Sequence, residues 1–238
     1  MKTLARYRLM DNLKSLGILM VVLIAIPALL SVFSGSSEMN GMTTITGSIW
    51  ALVIGIIVLR GDLRMGNQFG VSRRSAFWGS VLACTAAFAA CAAVLTAYTW
   101  LLQLLTNGNV AHLSVADIYQ ILYSTSTTYL MPAKDYLVMF LFGFTLNLCL
   151  GFFGMLCTLA FWRLNKFGKW VLGVGMGLGL GVGLPNLLYR LSPWILRPLR
   201  ILTTNVWAMM GFFLIWAAVF LLGACLLYRR ANIIPAAK

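Results

Sequence analysis

Between Ala76 and Leu105 the chain runs for 30 residues without one Asp, Glu, Lys or Arg. As a helix this run rises about 45 Å, more than the roughly 30 Å hydrocarbon core of a bilayer. It therefore predicts a membrane-crossing helix that tilts or protrudes. Hydrophobic residues make up 61% and charged residues 10%, with a mean hydropathy of +0.90. That is more apolar surface than a soluble core of this size buries, so the chain reads as a polytopic membrane protein.

Apolar runs separated by polar turns predict an all-α protein, a single transmembrane domain over residues 1–238. Six transmembrane helices are expected, at about 16–33, 43–59, 76–105, 136–161, 170–189 and 206–228. Leu4–Ser15 is expected as a helix lying at the interface, because Leu9, Leu13 and Leu16 share a face while Arg8 and Asp11 lie on another. Met1–Ser15 carries Lys2, Arg6, Arg8 and Lys14, and no A-x-A site follows, so the first apolar run reads as a retained span. Pro27 within that run predicts a kink. In the long loop Thr106–Asp135, Val115–Tyr123 is expected to form a short surface helix. Arg190–Asn205, with Pro193 and Pro198, reads as a broken outer segment between spans five and six.

Cations set the orientation. With six spans, 14 of the 18 Lys and Arg fall on one side, which predicts a cell-membrane protein with both termini cytoplasmic. Arg190, Arg197 and Arg200 break the rule, and a rival with five spans and an opposite C-terminus would remove the exception. The net charge of +13 belongs to span ends facing lipid headgroups and does not point to nucleic acid.

Catalytic chemistry is sparse. The five acids (Asp11, Glu38, Asp62, Asp117, Asp135) are all expected in loops or at span ends. No ionisable group is expected at the middle of a span, where proton- and ion-coupled pumps keep theirs. His112 has no second ligand nearby, and the cysteines (Cys84, Cys91, Cys149, Cys157, Cys225) form no C-x-x-C pair, so no metal site is expected. The chain reads as no enzyme and as carrying no cofactor of its own. Gly173, Gly177 and Gly181 make a small-residue stripe for close helix packing, without the lysine that a phosphate loop needs. Asn147 and Thr145, inside the fourth span, are candidates for lining a substrate path; the plainer reading of Asn147 is an interhelical hydrogen bond.

The polar interruption Arg60–Ser80 is the richest in cations, with Arg60, Arg64, Arg73 and Arg74 around Asp62. Leu63, Met65 and Phe69 suggest one or two amphipathic turns broken at Gly70, after which Ser72 is placed to cap the next helix. A second basic turn, Arg163–Lys169, lies on the same expected side. The stretch FGVSRRSAFWG (Phe69–Gly79), together with the six spans, the interface helix and the broken outer segment, resembles a bacterial ATP-binding-cassette exporter permease of the type-two class. The residues carrying the match are Gly70, Val71, Ser72, Arg73, Arg74 and Phe77.

That resemblance implies a separate cytoplasmic ATP-binding subunit, in two copies and holding ATP and Mg, docked on Arg60, Asp62, Leu63, Arg64, Asn67, Gln68, Phe69, Gly70, Ser72, Arg73 and Arg74. A second contact at Arg163, Asn165, Lys166 and Lys169 is expected with it. It also implies a second permease, identical or homologous, and transport of an amphipathic, lipid-like, peptide or drug-like cargo. Two other readings stand beside it: a sensor or immunity protein that binds a peptide antibiotic without moving it, and an ion-coupled carrier.

Overall fold

The computed structural model describes residues 2–34, 37–40, 42–68, 72–106, 113–123, 131–164, 168 and 204–229. These form α1 (Lys2–Ser34), β1 (Ser37–Asn40), α2 (Met42–Gln68), α3 (Arg73–Thr106), β2 (Leu113–Ala116), α4 (Ile118–Tyr123), α5 (Ala133–Arg163) and α6 (Val206–Arg229). Gly173, Gly177, Gly181, His112, the expected fifth span and most of Arg190–Asn205 lie outside the described residues.

Three of these helices contain stretches long and apolar enough to cross a membrane by length and composition: Arg74–Leu104, Ala133–Arg163 and Val206–Tyr228. Thr43–Leu59 is apolar but shorter. Long side chains such as Ile18, Val21, Ile215 and Leu222 face outward, while Arg8, Asn12, Ser48, Thr99 and Asn147 face inward. An outward apolar belt over a partly polar interior suits hydrocarbon as the surrounding solvent.

α5 is the central helix, packed against α2, α3 and α6, and α1 packs on α3. Contacts at Ser48–Asn147 and, further along both helices, Ile56–Thr158 make α2 and α5 parallel. Phe142–Phe213 followed by Phe153–Phe220 makes α6 parallel to α5. One end of the bundle therefore carries the α2–α3 connection (the elbow end). The other carries β1 and β2 (the strand end), which pair in parallel from Ser37↔Leu113 to Asn40↔Ala116.

One expectation is corrected here. No separate interface helix precedes the first span: α1 is continuous from Lys2 to Ser34 and runs on through Pro27. Two of its polar residues, Arg8 and Asn12, are buried, while Arg6, Asp11 and Lys14 stay exposed. Asn12 donates to Cys84 Sγ at 4.0 Å, Arg8 to Asp11 at 3.5 Å, and Ser15 Oγ accepts from Trp50 Nε1 at 3.1 Å. Meanwhile Tyr7, Met10 and Leu13 are exposed. At the elbow the expected helical turns before Gly70 continue α2 as far as Gln68, and α3 starts at Arg73, directly after Ser72. Arg60, Leu63, Arg64, Met65 and Gln68 are good helix formers, and they carry the helix past Gly61 and Gly66.

The α2–α5 interface has no side chain at its centre. A Cβ on Gly55 would run into the Gly151 carbonyl oxygen, and one on Gly154 would meet the Leu52 carbonyl at 2.5 Å. Only glycine allows two helix backbones this close. Nearby, the Thr158 hydroxyl donates to the Ile56 carbonyl of α2 at 2.9 Å and to Gly154 of its own helix at 3.1 Å. Replacing Thr158 by Val keeps the shape and removes the bridge. We expect a loss of about 0.6 kcal/mol, the average for such bonds in membranes, measurable by reversible unfolding in mixed detergent.

Candidate functional site

Two regions of α2 carry the polar chemistry, one at each end. At the elbow end, Ser72 caps α3 as its position suggests. The Ser75 N–H donates to Ser72 Oγ at 3.4 Å, and Ala76 N–H to the Ser72 carbonyl at 3.0 Å. Arg60, Asp62, Leu63, Arg64, Asn67 and Gln68 sit on the last turns of α2, with Arg73 and Arg74 on the first turn of α3. The backbone thus gathers four arginines at one helical hairpin. Arg163, exposed at the end of α5, lies at the same end of the bundle. Phe69, Gly70, Asn165, Lys166 and Lys169 lie outside the described residues.

At the strand end the organising side chain is Asp117, which is fully buried. Its Oδ1 accepts from the Thr43 hydroxyl at 2.8 Å and from the Thr44 N–H at 3.1 Å. Its Oδ2 accepts from the Thr44 hydroxyl at 2.6 Å. Thr43 and Thr44 lie in the first turn of α2, where backbone N–H groups lack intrahelical partners and the helix dipole favours an anion. Asp117 also heads α4: its carbonyl accepts from Ile121 N–H at 3.0 Å. Gln120 Oε1 reaches back to Asp117 N–H at 2.9 Å, the reciprocal half of a capping box. In the usual box the N-cap side chain bonds its own helix. Here the carboxylate is given to α2 instead, so one residue caps two helices.

This adds burial to two expected features. Asp117 lies in the expected loop yet is buried, and α4 is the short helix expected within Val115–Tyr123, with Tyr119 and Gln120 turned inward while Ile121 and Leu122 stay exposed. The Tyr119 ring packs on Phe142 of α5 at 6.1 Å. Burial pushes the Tyr119 phenol above its ordinary value of 10.0, and the Asp135 carboxylate adds to the shift. As pH rises past 10.0 the undocked phenol ionises before the docked one, so the docked state loses stability. Alkaline loss of α4 packing, followed by exchange of its amides, should therefore be reduced by Tyr119→Phe.

From Asp117 the polar groups continue inward. Ser48 donates to the Thr44 carbonyl at 2.8 Å and to Asn147 Oδ1 on α5 at 3.4 Å. Beside them lies a cavity of about 10 Å³ bounded by Thr44, Thr96, Met139, Gly143 and Asn147 among others, space for about one water. Of the two path candidates the structure places Asn147 in this cluster. Thr145 instead donates to the Phe142 carbonyl of its own helix at 2.9 Å. Gln103, from α3, accepts from Tyr136 of α5 at the same end.

The class these features define is a membrane-embedded helical protein with a cation-rich hairpin at one end and a buried polar cluster at the other. No protein-family model, no curated protein and no solved structure matches the chain.

Proposed function

We propose that this chain is the permease subunit of an ATP-driven exporter in a bacterial cell membrane. It moves an amphipathic, lipid-like, peptide or drug-like cargo and does no hydrolysis itself. The observation that carries this reading is the continuity of α2 from Met42 to Gln68, one helix about 40 Å long. Its elbow end bears Arg60 and Arg64, while its strand end bears Thr43 and Thr44, held by Asp117. Force applied by an ATPase subunit at the elbow reaches the far polar cluster without crossing a joint. Parallel α5 and α6 support six crossings over five, because α5 ends at the elbow end and α6 begins at the strand end. The helix ends rich in Lys and Arg then share the elbow side, taken as cytoplasmic by the cation bias. A second permease completes the path, and Asn147 is the lining residue the cluster favours.

Docking at the hairpin is testable by charge reversal. Arg64→Glu or Arg73→Glu, reconstituted with the partner ATPase, should lower transport-linked ATP hydrolysis roughly tenfold, the loss of one hydrogen bond to a charged group. Membrane insertion should be unaffected. Unchanged coupling in both variants would remove the hairpin as the docking site.

A further inference from the structure

Gly55 lies midway along α2, and it is there that α2 touches α5 backbone to backbone, against Gly151 and Gly154. A contact without interdigitated side chains resists sliding and rocking less than meshed rows of long side chains do. On the strand side of this point the α2–α5 interface holds the 3.4 Å Ser48–Asn147 contact and a small cavity beside Asn147 that α3 also lines. That half is held by its packing on α3, where Leu95 lies against Gly47 and Phe88 against Trp50, by the Trp50–Ser15 bond to α1, and at its very end by Asp117, which sits on neither α2 nor α5. Its three accepted hydrogen bonds fasten the first turn of α2 to the head of α4, and α4 is packed on α5 through Tyr119–Phe142 and Tyr123–Phe142. The parallel pairing of β1 with β2 ties down the same corner.

We infer that α2 is a rocking rod, with its fulcrum at Gly55 on Gly151 and Gly154, and that Asp117 is the latch holding its strand end shut over the Ser48–Asn147 cluster. Release of the latch lets the strand end of α2 leave α5 and opens the polar cluster at that end of the bundle. Because α2 is continuous, the same rotation displaces its elbow end. A partner pulling on the hairpin therefore works against three hydrogen bonds at the other end of the helix. The latch gives the exporter reading a gate and rests on that reading for its purpose. The motion itself belongs to this chain alone.

The test is a pair of distance measurements on the full chain in lipid nanodiscs, without any ATPase. Spin-labelled non-natural residues, which ignore the five native cysteines, are placed at Ile45 with Leu137 (strand ends of α2 and α5) and at Gln68 with Arg163 (elbow ends). Each pair is compared between the native chain and two weakened latches, Asp117→Ala and the milder Thr44→Val, which keeps Asp117 in place. Shifted or broadened distributions at both pairs, in either variant, are the expected result. A change confined to the strand pair would mean that the first turns of α2 fray locally, and would overturn the rod. No change at either pair in a folded variant would overturn the latch. Should Asp117→Ala not fold, Thr44→Val decides alone. Failure of the ATPase docking test with both pairs shifting would discard the exporter reading and leave the latch standing.

Discussion

Gly55→Ala should be among the most damaging single-methyl additions in the described chain. The new Cβ meets the Gly151 carbonyl, part of a helix backbone that cannot rotate away as a side chain can. Overpacking typically costs about 1–3 kcal/mol, and a backbone obstacle puts this site at about 3 kcal/mol or more. The control is Gly211→Ala, since nothing lies within 4 Å of the Cβ it would add; a change within about 0.5 kcal/mol is expected there. Thermal unfolding in detergent, followed by circular dichroism, measures both. Equal tolerance of the two substitutions would mean that α2 and α5 do not meet at their backbones.

Asp117→Ala should rank with it, but the loss should appear in a different place. The substitution leaves the Thr43 hydroxyl, the Thr44 N–H and the Thr44 hydroxyl without their acceptor. A buried donor left unsatisfied costs about 1–3 kcal/mol, so the three together give about 3 kcal/mol or more. Because these donors fasten one corner, hydrogen exchange should rise in the first turn of α2 and in α4 well before the Gly55–Gly151 region responds. Asp117→Asn should fall between the two, since its oxygen still serves two of the donors while the charge facing the helix N-terminus is lost. Exchange rising uniformly through α2, α3 and α5 would mean that the whole bundle unfolds instead of one corner being released.

Much of the helical frame was readable from apolar runs alone. α3, α5 and α6 begin and end within a few residues of the expected spans at 76–105, 136–161 and 206–228, because length and hydropathy act locally. What the runs conceal is which face a polar residue takes. Arg8 and Asn12 look like the wet side of an interface helix, yet both are buried, Asn12 against Cys84 of α3 and Arg8 beside the exposed Asp11 of its own helix. The elbow was readable too: the turns suggested by Leu63 and Met65 continue α2 to Gln68, and α3 follows Ser72.

The candidate site was legible only in pieces. Asn147 stood out as an amide in an apolar span, and its partner Ser48 lies 99 residues earlier in the chain. Asp117 carried a local signal that went unread, the D-x-x-Q of a capping box at Asp117 and Gln120. Its capture of α2, 73 and 74 residues earlier, depends on β1 and β2 meeting, which no local pattern encodes. Expected glycine packing centred on Gly173, Gly177 and Gly181, outside the described residues. The contact that the structure describes uses Gly55 with Gly151 and Gly154, glycines too scattered in sequence to form a stripe.

The measurement that bears most directly on the proposed function is gentle purification of the tagged chain from its native host, with mass spectrometry of what co-elutes. An exporter permease should bring down an ATP-binding subunit in stoichiometric amount, and the Arg64→Glu, Arg73→Glu double variant should lose it while still inserting in the membrane. Elution without such a subunit, in a detergent shown to preserve a known permease–ATPase pair, would contradict the exporter and leave a membrane protein that binds its ligand without pumping it.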